Sequence, residues 1–331
     1  MFFTVKFPNI ISLSRRPSTW LAVIALLVSL SACSKSPVAP PPGPQPLTVA
    51  CPANISTNSV GGQPVTLAFE LPNATGGSGP LAISCNPASG ALFSPGTTTV
   101  TCTATDGGGR AATCGFVINV AHVPVLARTR FLAFGDSLTE GKVSLVPSIL
   151  VDAGPHSYPA RLRGLLSARY TSQTITMANE GWGGERADEA VPRFRGAMSQ
   201  HRPDVVLLMH GVNDLISASP GRVQTAADGV EELVKEGRNA GAVVFVATLP
   251  PFGNGPKASC QECVEPYNSH LRAIAAAKGA TLVDVHAAWA GRSGLMGADG
   301  IHPTDAGYEV IATTFFEVIQ RTLENPVGAL R

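Results

Sequence analysis

From Arg130 onward the chain alternates short, unbroken apolar runs with longer segments of helical period, and few architectures accept that alternation. Arg130 to Phe134 reads as a strand ending at Gly135, Thr174 to Asn179 as a second, and Asp204 to Met209 as a third, fully apolar after its Asp. Ala242 to Ala247 and Thr281 to Val285 complete the set. Helical spacing marks Ser157 to Tyr170, Arg186 to Ser199, Val223 to Asn239, Glu265 to Lys278 and Thr304 to Leu323, with Thr304 placed to cap the last. Leu162, Leu165 and Leu166 share one face of the first helix. Strands that do not alternate apolar with polar need cover on both faces, which helical crossovers provide in a parallel sheet.

Five such strands predict an α/β fold, a flavodoxin-like, doubly wound parallel sheet whose ligand site lies at the carboxyl ends of the strands. Four clusters fall at those ends. Gly135-Asp136-Ser137-Leu138 follows the first strand, Asn179-Glu180-Gly181-Trp182-Gly183-Gly184 the second, and Gly211-Val212-Asn213-Asp214 the third. Asp299-Gly300-Ile301-His302-Pro303 precedes the last helix. Taken singly, Ser137 reads as a helix cap and Asn213-Asp214 and Asp299-Gly300 as turns or caps. Converging on one edge, they supply what acyl transfer by serine requires: a hydroxyl, a base, a group that orients the base, and donors for the oxyanion. Asp299 and His302 are close enough in sequence for one tight turn to bring the carboxylate to Nδ1 and leave Nε2 for Ser137. Pro303 would restrict the backbone after the imidazole. No dinucleotide fingerprint, P-loop or metal-ligand spacing is present, so neither cofactor nor metal is expected. His210 reads as a packing or supporting residue. Trp182 and Tyr158 are candidates for either the pocket or the core. His156, His201, His270 and His286 have no partner that the sequence names.

These four clusters resemble the blocks of the SGNH, or GDSL, hydrolases over about residues 129 to 323. The resemblance implies Ser137 as nucleophile, His302 as general base and Asp299 as its orienter. It implies Gly184, Asn213 and the Ser137 N–H as oxyanion donors. Asn179 to Gly184 keeps the family's spacing.

Ahead of this domain, assigned to residues 129–325, residues 47–122 hold only three charged side chains: Glu70, Asp106 and Arg110. Short Thr/Val/Ile/Phe runs alternate there with Gly/Pro/Asn turns, and Asp106-Gly107-Gly108-Gly109 reads as a hairpin turn leading into Ala112 to Val120. The pattern predicts a β-sandwich of about seven strands. Cys51-Pro52, Cys85-Asn86-Pro87-Ala88-Ser89-Gly90, and Val100 to Asp106 followed by Cys114-Gly115-Phe116 resemble the immunoglobulin-like hyalin-repeat module. That resemblance implies adhesion or extracellular spacing and no catalytic residues; a bare spacer and a glycan- or protein-binding module both remain open.

The chain contains seven cysteines. Cys51, Cys85, Cys102 and Cys114 allow three pairings. Cys51–Cys114 with Cys85–Cys102 is favoured, because Cys102–Cys114 would lie directly across the hairpin. Cys260-Gln-Glu-Cys263 is favoured as a loop disulfide; a redox motif or half a zinc site is the alternative. The odd cysteine, Cys33, ends Leu30-Ser31-Ala32-Cys33, after Lys6, Arg15, Arg16 and an apolar run from Trp20 to Leu30 that is too short to span a bilayer. This resembles a bacterial lipoprotein signal, implying removal of residues 1–32 and acylation of Cys33. Residues 33–46 then form a proline-rich, stiff linker. Ser34, where Gram-negative families place an Asp for inner-membrane retention, points to the outer membrane or cell surface.

With 44% hydrophobic and 14% charged residues the chain can pack a core, and its net charge of +1 lacks the basic excess of a nucleic-acid binder. Loss of residues 1–32 removes three cations and no anions, leaving 21 minus 23, or −2. The expected function is an exported, lipid-anchored serine esterase acting on an acylated carbohydrate or a lipid. A surface-binding lipoprotein with a vestigial hydrolase domain and an acyl transferase to another alcohol are the alternatives.

Overall fold

The computed structural model describes residue 43 and residues 45–216 and 221–325. The expected signal peptide, Cys33 and most of the proline-rich linker lie outside the described residues. From Gln45 on the chain makes one compact unit with two separate hydrophobic cores.

The first core belongs to the β-rich segment. A four-stranded sheet runs in the order Ile55–Val60, Ala111–Val123, Gly96–Thr105, Ala82–Asn86. Two short antiparallel pairs, Thr48–Ala50 with Asn73–Thr75 and Val65–Leu67 with Ala91–Phe93, complete it. Phe93, Val100, Phe116, Ile118 and Val120 form its buried centre, as period-2 alternation requires. The hairpin turn falls where expected, and Asp106 organises it. Its carboxylate accepts the Gly108, Arg110 and Ser78 N–H groups and pairs with the Arg110 guanidinium at 2.8 Å.

Cys51–Cys114 and Cys85–Cys102 are the bridges formed. The reason for favouring that pairing nevertheless fails. Cys85 is itself the direct antiparallel partner of Cys102, and Cys102 also faces Cys114 across the next ladder. Both candidate bridges are cross-strand, so that criterion could not separate them.

The second core holds the parallel sheet. Its strands are β1 (Arg130–Gly135), β2 (Thr176–Gly181), β3 (Val205–Met209), β4 (Val243–Ala247) and β5 (Thr281–Val283), in spatial order 2-1-3-4-5. Every pairing is parallel. This is the flavodoxin-like order, with its switch point between β1 and β3. β3 is buried along its whole length, as its unbroken apolar run demands. The helices are α1 (Ser137–Glu140), α2 (Tyr158–Arg169), α3 (Val191–His201), α4 (Val212–Ile216), α5 (Gly221–Asn239), α6 (Val264–Lys278), α7 (Val285–Trp289) and α8 (Asp305–Leu323). α2 packs on α8, and α5 packs on α3 and α6. Tyr158 and Phe315 stack between α2 and α8 at 5.2 Å, which assigns Tyr158 to the core.

Two departures from the sequence expectation have local causes. The helix expected from Arg186 starts at Val191, after a 3-10 turn at Ala187–Glu189. Pro192 has no N–H to give and is tolerated only in the first helical turn, which sets the start. A hairpin of Lys142–Val146 with Ile149–Asp152, unanticipated, follows α1. Its Leu145, Val146, Ile149, Leu150 and Val151 are exposed, so no buried stripe marks it in the sequence.

The sheet register builds the functional edge. Gly135 is level with Gly181 on one side and Met209 on the other, so Asp136, Trp182 and His210 leave the sheet side by side. The closeness is tight: a Cβ on Gly135 would stand 1.9 Å from the Met209 carbonyl oxygen. Gly135→Ala is therefore expected to lower the unfolding free energy by about 1–3 kcal/mol or more, read from urea midpoints. An unchanged midpoint would mean the strands do not approach so closely.

Candidate active site

Ser137 is the first residue of α1, directly after β1, and is buried. Asp136 caps that helix, accepting the Leu138 N–H at 3.0 Å. Its other oxygen accepts the Gly211 and Val212 N–H groups at 3.0 and 3.1 Å, tying the end of β1 to the loop after β3. Burial raises the Asp136 carboxyl above its ordinary range, against the pull of His210 and of the Leu138 and Val212 donors.

The turn before α8 brings the other two expected groups together. Asp299 Oδ1 accepts the Ile301 and His302 N–H groups at 3.2 and 3.1 Å, which closes the turn. Oδ2 lies 2.6 Å from His302 Nδ1. His302 Nε2 lies 2.8 Å from Ser137 Oγ. With Oδ2 beside Nδ1, that nitrogen carries the hydrogen and Nε2 is left to accept from the serine, a tautomer assigned from the partners. Burial pushes the Asp299 carboxyl up, but the side-chain and backbone hydrogen bonds from His302 outweigh it, and the net shift is downward. The unforeseen hairpin supports the same turn, because Ser144 Oγ accepts the Asp299 N–H at 3.1 Å.

The glycine loop after β2 lies beside Ser137. A Cβ on Gly183 would come 3.7 Å from Ser137 Cβ and 2.8 Å from Glu140 Oε2, which already accepts the Gly183 N–H. Gly184 has φ of +86°, a left-handed conformation strained for other residues. Asn213 Nδ2 donates to the Glu185 carbonyl at 2.8 Å, so the third cluster is bonded to the residue following Gly184.

Under this loop lies a charge network that the motifs do not reveal. Glu185 is bonded by Arg193 Nε at 2.7 Å and faces His210 Nε2 at 3.0 Å. Arg193 also donates to the Glu180 and Gly135 carbonyls and sits 4.0 Å over the Phe134 ring. Burial raises the Glu185 carboxyl, but its bonds to Arg193 and His210 win and hold it low. His210 is thus a fully buried supporting residue, as its position suggested. Trp182 is 62% exposed rather than in the core. It borders a groove of about 400 Å³ lined also by Glu140, Lys142, Gly181 and Gly183. His156, His201 and His286 find acidic partners in Asp305, Glu180 and Glu265. Among the described residues no cluster could hold a metal ion, and no helix is long and apolar enough to cross a membrane. Cys260 and Cys263 form a disulfide.

Chemically, the set offers a hydroxyl in hydrogen-bond reach of an imidazole that a carboxylate orients, beside a glycine loop to which the Asn213 amide is bonded. Residues 133–310, more than half of the chain, match the GDSL-like lipase/acylhydrolase family. Residues 43–120 match the HYR domain. The chain is 27% identical over 170 residues to a multidomain esterase of Ruminococcus flavefaciens, covering 49% of this chain and 21% of that protein. It thus spans about a fifth of that relative's length. Among solved structures it is similar to a lipase/acylhydrolase from Enterococcus faecalis, at 22% identity, 60% of this chain, 98% of that chain and a TM-score of 0.49. It is also similar to an acetylxylan esterase from Geobacillus stearothermophilus, at 22% identity, 59% and 94% coverage and a TM-score of 0.47.

The lowered Asp299 carboxyl predicts a pH dependence of stability. A carboxylate held below its ordinary value of 3.8 stabilises the fold fully above that value and loses the contribution as pH falls through the lower folded value. Urea midpoints measured from about pH 5 downward are expected to fall less steeply for Asp299→Asn than for the parent. Identical slopes would deny the ion pair its role in the fold.

Proposed function

The chain belongs to the GDSL-like lipase/acylhydrolase family, and from that premise we propose that it is a serine esterase that works outside the cytoplasm through an acyl-enzyme on Ser137. The observation that carries the reading is the continuous contact from Asp299 Oδ2 to His302 Nδ1 and from His302 Nε2 to Ser137 Oγ, at 2.6 and 2.8 Å.

In the first step Ser137 Oγ attacks the ester carbonyl while its proton passes to His302 Nε2. Asp299 stabilises the imidazolium that forms. The carbonyl electrons become an oxyanion that takes hydrogen bonds from the backbone N–H groups of Gly184 and Ser137 and from the Asn213 amide. Collapse of the tetrahedral species breaks the bond to the alkoxy group, which leaves as the alcohol with the proton from Nε2. Water, deprotonated by the same nitrogen, then attacks the acyl-serine; the bond to Ser137 Oγ breaks, Nε2 returns the proton to that oxygen, and the acid is released. No step calls for a metal or an organic cofactor.

An acylated carbohydrate is the favoured substrate over a lipid. The exposed indole of Trp182 offers a flat face, and Glu140 with Lys142, paired at 2.8 Å, gives the groove a polar wall suited to hydroxyl groups. The hyalin-repeat-like segment would serve as a spacer or as a glycan- or protein-binding module.

Export is supported by the three disulfides among the described residues, which persist in oxidising compartments. We place the chain on a bacterial outer membrane or cell surface, held by acylation of Cys33. Expressed in a lipoprotein-processing bacterium, the chain is expected to take up labelled palmitate and to partition with membranes, and Cys33→Ser to do neither. Unchanged labelling of that variant would remove the anchor from the proposal.

Purified residues 47–331 are expected to hydrolyse short acyl esters, and Ser137→Ala or His302→Ala to lose roughly 10³-fold or more in kcat. Parent-like hydrolysis by Ser137→Ala would end the nucleophile assignment. An inert parent that binds a glycan tightly would favour the binding-protein alternative.

A further inference from the structure

The segment between β4 and α6 reads in the sequence as a loop with a C-x-x-C and no evident task. In the structure it grips the Asp299 turn. The Gly253 N–H donates to the Gly300 carbonyl at 2.8 Å and the Lys257 N–H to the Asp299 carbonyl at 3.1 Å. Gly255 passes so near that a Cβ there would stand 2.2 Å from the Asp299 carbonyl carbon. The segment is itself anchored. Ser259 Oγ donates to the Ile216 carbonyl, Gln261 Nε2 donates to the Gly253 carbonyl, and Cys260–Cys263 closes its last turn. From this loop the Lys257 ammonium reaches Asp299 Oδ2 at 3.2 Å, the same oxygen that faces His302 Nδ1. The Asp299 side chain is fully buried, whereas Lys257 is about one-third exposed.

We propose that Lys257 is a positioning residue for the ester-cleaving reaction, holding Asp299 by backbone and by ammonium and sharing Oδ2 with the imidazole. The inference rests on Ser137, His302 and Asp299 being the reacting groups. A carboxylate beside an imidazole favours the imidazolium, which cannot accept the serine proton. A cation on the same oxygen draws on the same negative charge and so opposes that bias. The titratable groups facing the Asp299–His302 pair are Asp136 at the head of α1, Tyr308 on α8 and Lys257; among these Lys257 supplies the positive charge. The device therefore extends the working range of the enzyme toward acid.

The test is the pH profile of kcat/KM for a short acyl ester, measured on the parent chain, Lys257→Met and Lys257→Arg. The acid limb reports protonation of the base. In Lys257→Met it is expected to move up by roughly half to one pH unit, the effect of removing one nearby unit charge that solvent partly screens, with the plateau kept within a few-fold. Lys257→Arg is expected to restore the parent limb. A Lys257→Met limb that superimposes on an active parent's overturns the inference. So does an equal displacement in Lys257→Arg, which would mark packing rather than charge. If Lys257→Met does not fold, as judged by thermal unfolding, Lys257→Gln is read in the same way. A parent inert toward esters is a different failure, that of the esterase reading itself.

Discussion

One buried carboxylate joins the two strand ends on which the whole site is built. In a sheet ordered 2-1-3-4-5 the chain turns away in opposite directions after β1 and β3, and the crevice between them is where polar groups must be organised. Asp136 fills it, accepting N–H groups from Leu138 on one side and from Gly211 and Val212 on the other. Burying that charge is costly, and its raised carboxyl records the cost. Without it, the buried Leu138 and Val212 donors would lose their acceptor, while the Gly211 N–H would keep only His210 Nδ1. Ser137 and the loop bearing Asn213 are thereby held through one side chain, the Asp136 carboxylate, acting on their backbone N–H groups.

A second network serves the glycine loop and meets the first at His210, whose Nδ1 lies 3.6 Å from Asp136 Oδ2. Glu185, Arg193 and His210 link β1, β2 and β3 beneath it, and Asn213 bonds to the Glu185 carbonyl above. The acid–base groups instead lean on Ser144 from the hairpin and on the segment around Lys257. The Asp299–His302 turn and the glycine loop are thus braced by different parts of the chain, and Asp136 is common to Ser137 and the Asn213 loop.

What could be read from the sequence follows from how local its cause is. β1, β3 and β4 were legible because burial on both faces leaves an unbroken apolar run, while the edge strands β2 and β5 are only partly buried and were read from their place in the alternation. The meeting of Asp299 with His302 was legible because one turn joins them, and that of Ser137 with His302 only through the resemblance of the four clusters, since His302 lies in the turn before α8 and not at a strand end. Arg193 and Lys257 were not, since each acts across the fold on a partner that no spacing announces. Neither was the hairpin at residues 142–152, whose apolar side chains face water and so follow no burial period. Tyr158 and Trp182 are a similar pair of aromatics in sequence. Only the packing of α2 against α8 decides that one is core and the other is open to solvent.

The turn that carries both Asp299 and His302 reduces a three-membered constellation to two bodies. Asp299 and His302 share four residues of backbone, so their mutual geometry survives any shift of that turn as a whole. Only one separation, from the imidazole to the hydroxyl at the head of α1, is left to the tertiary structure. That separation is set by the anchors on either side of it: the β4–α6 segment and Ser144 hold the turn, and the Asp136 cap holds the head of α1.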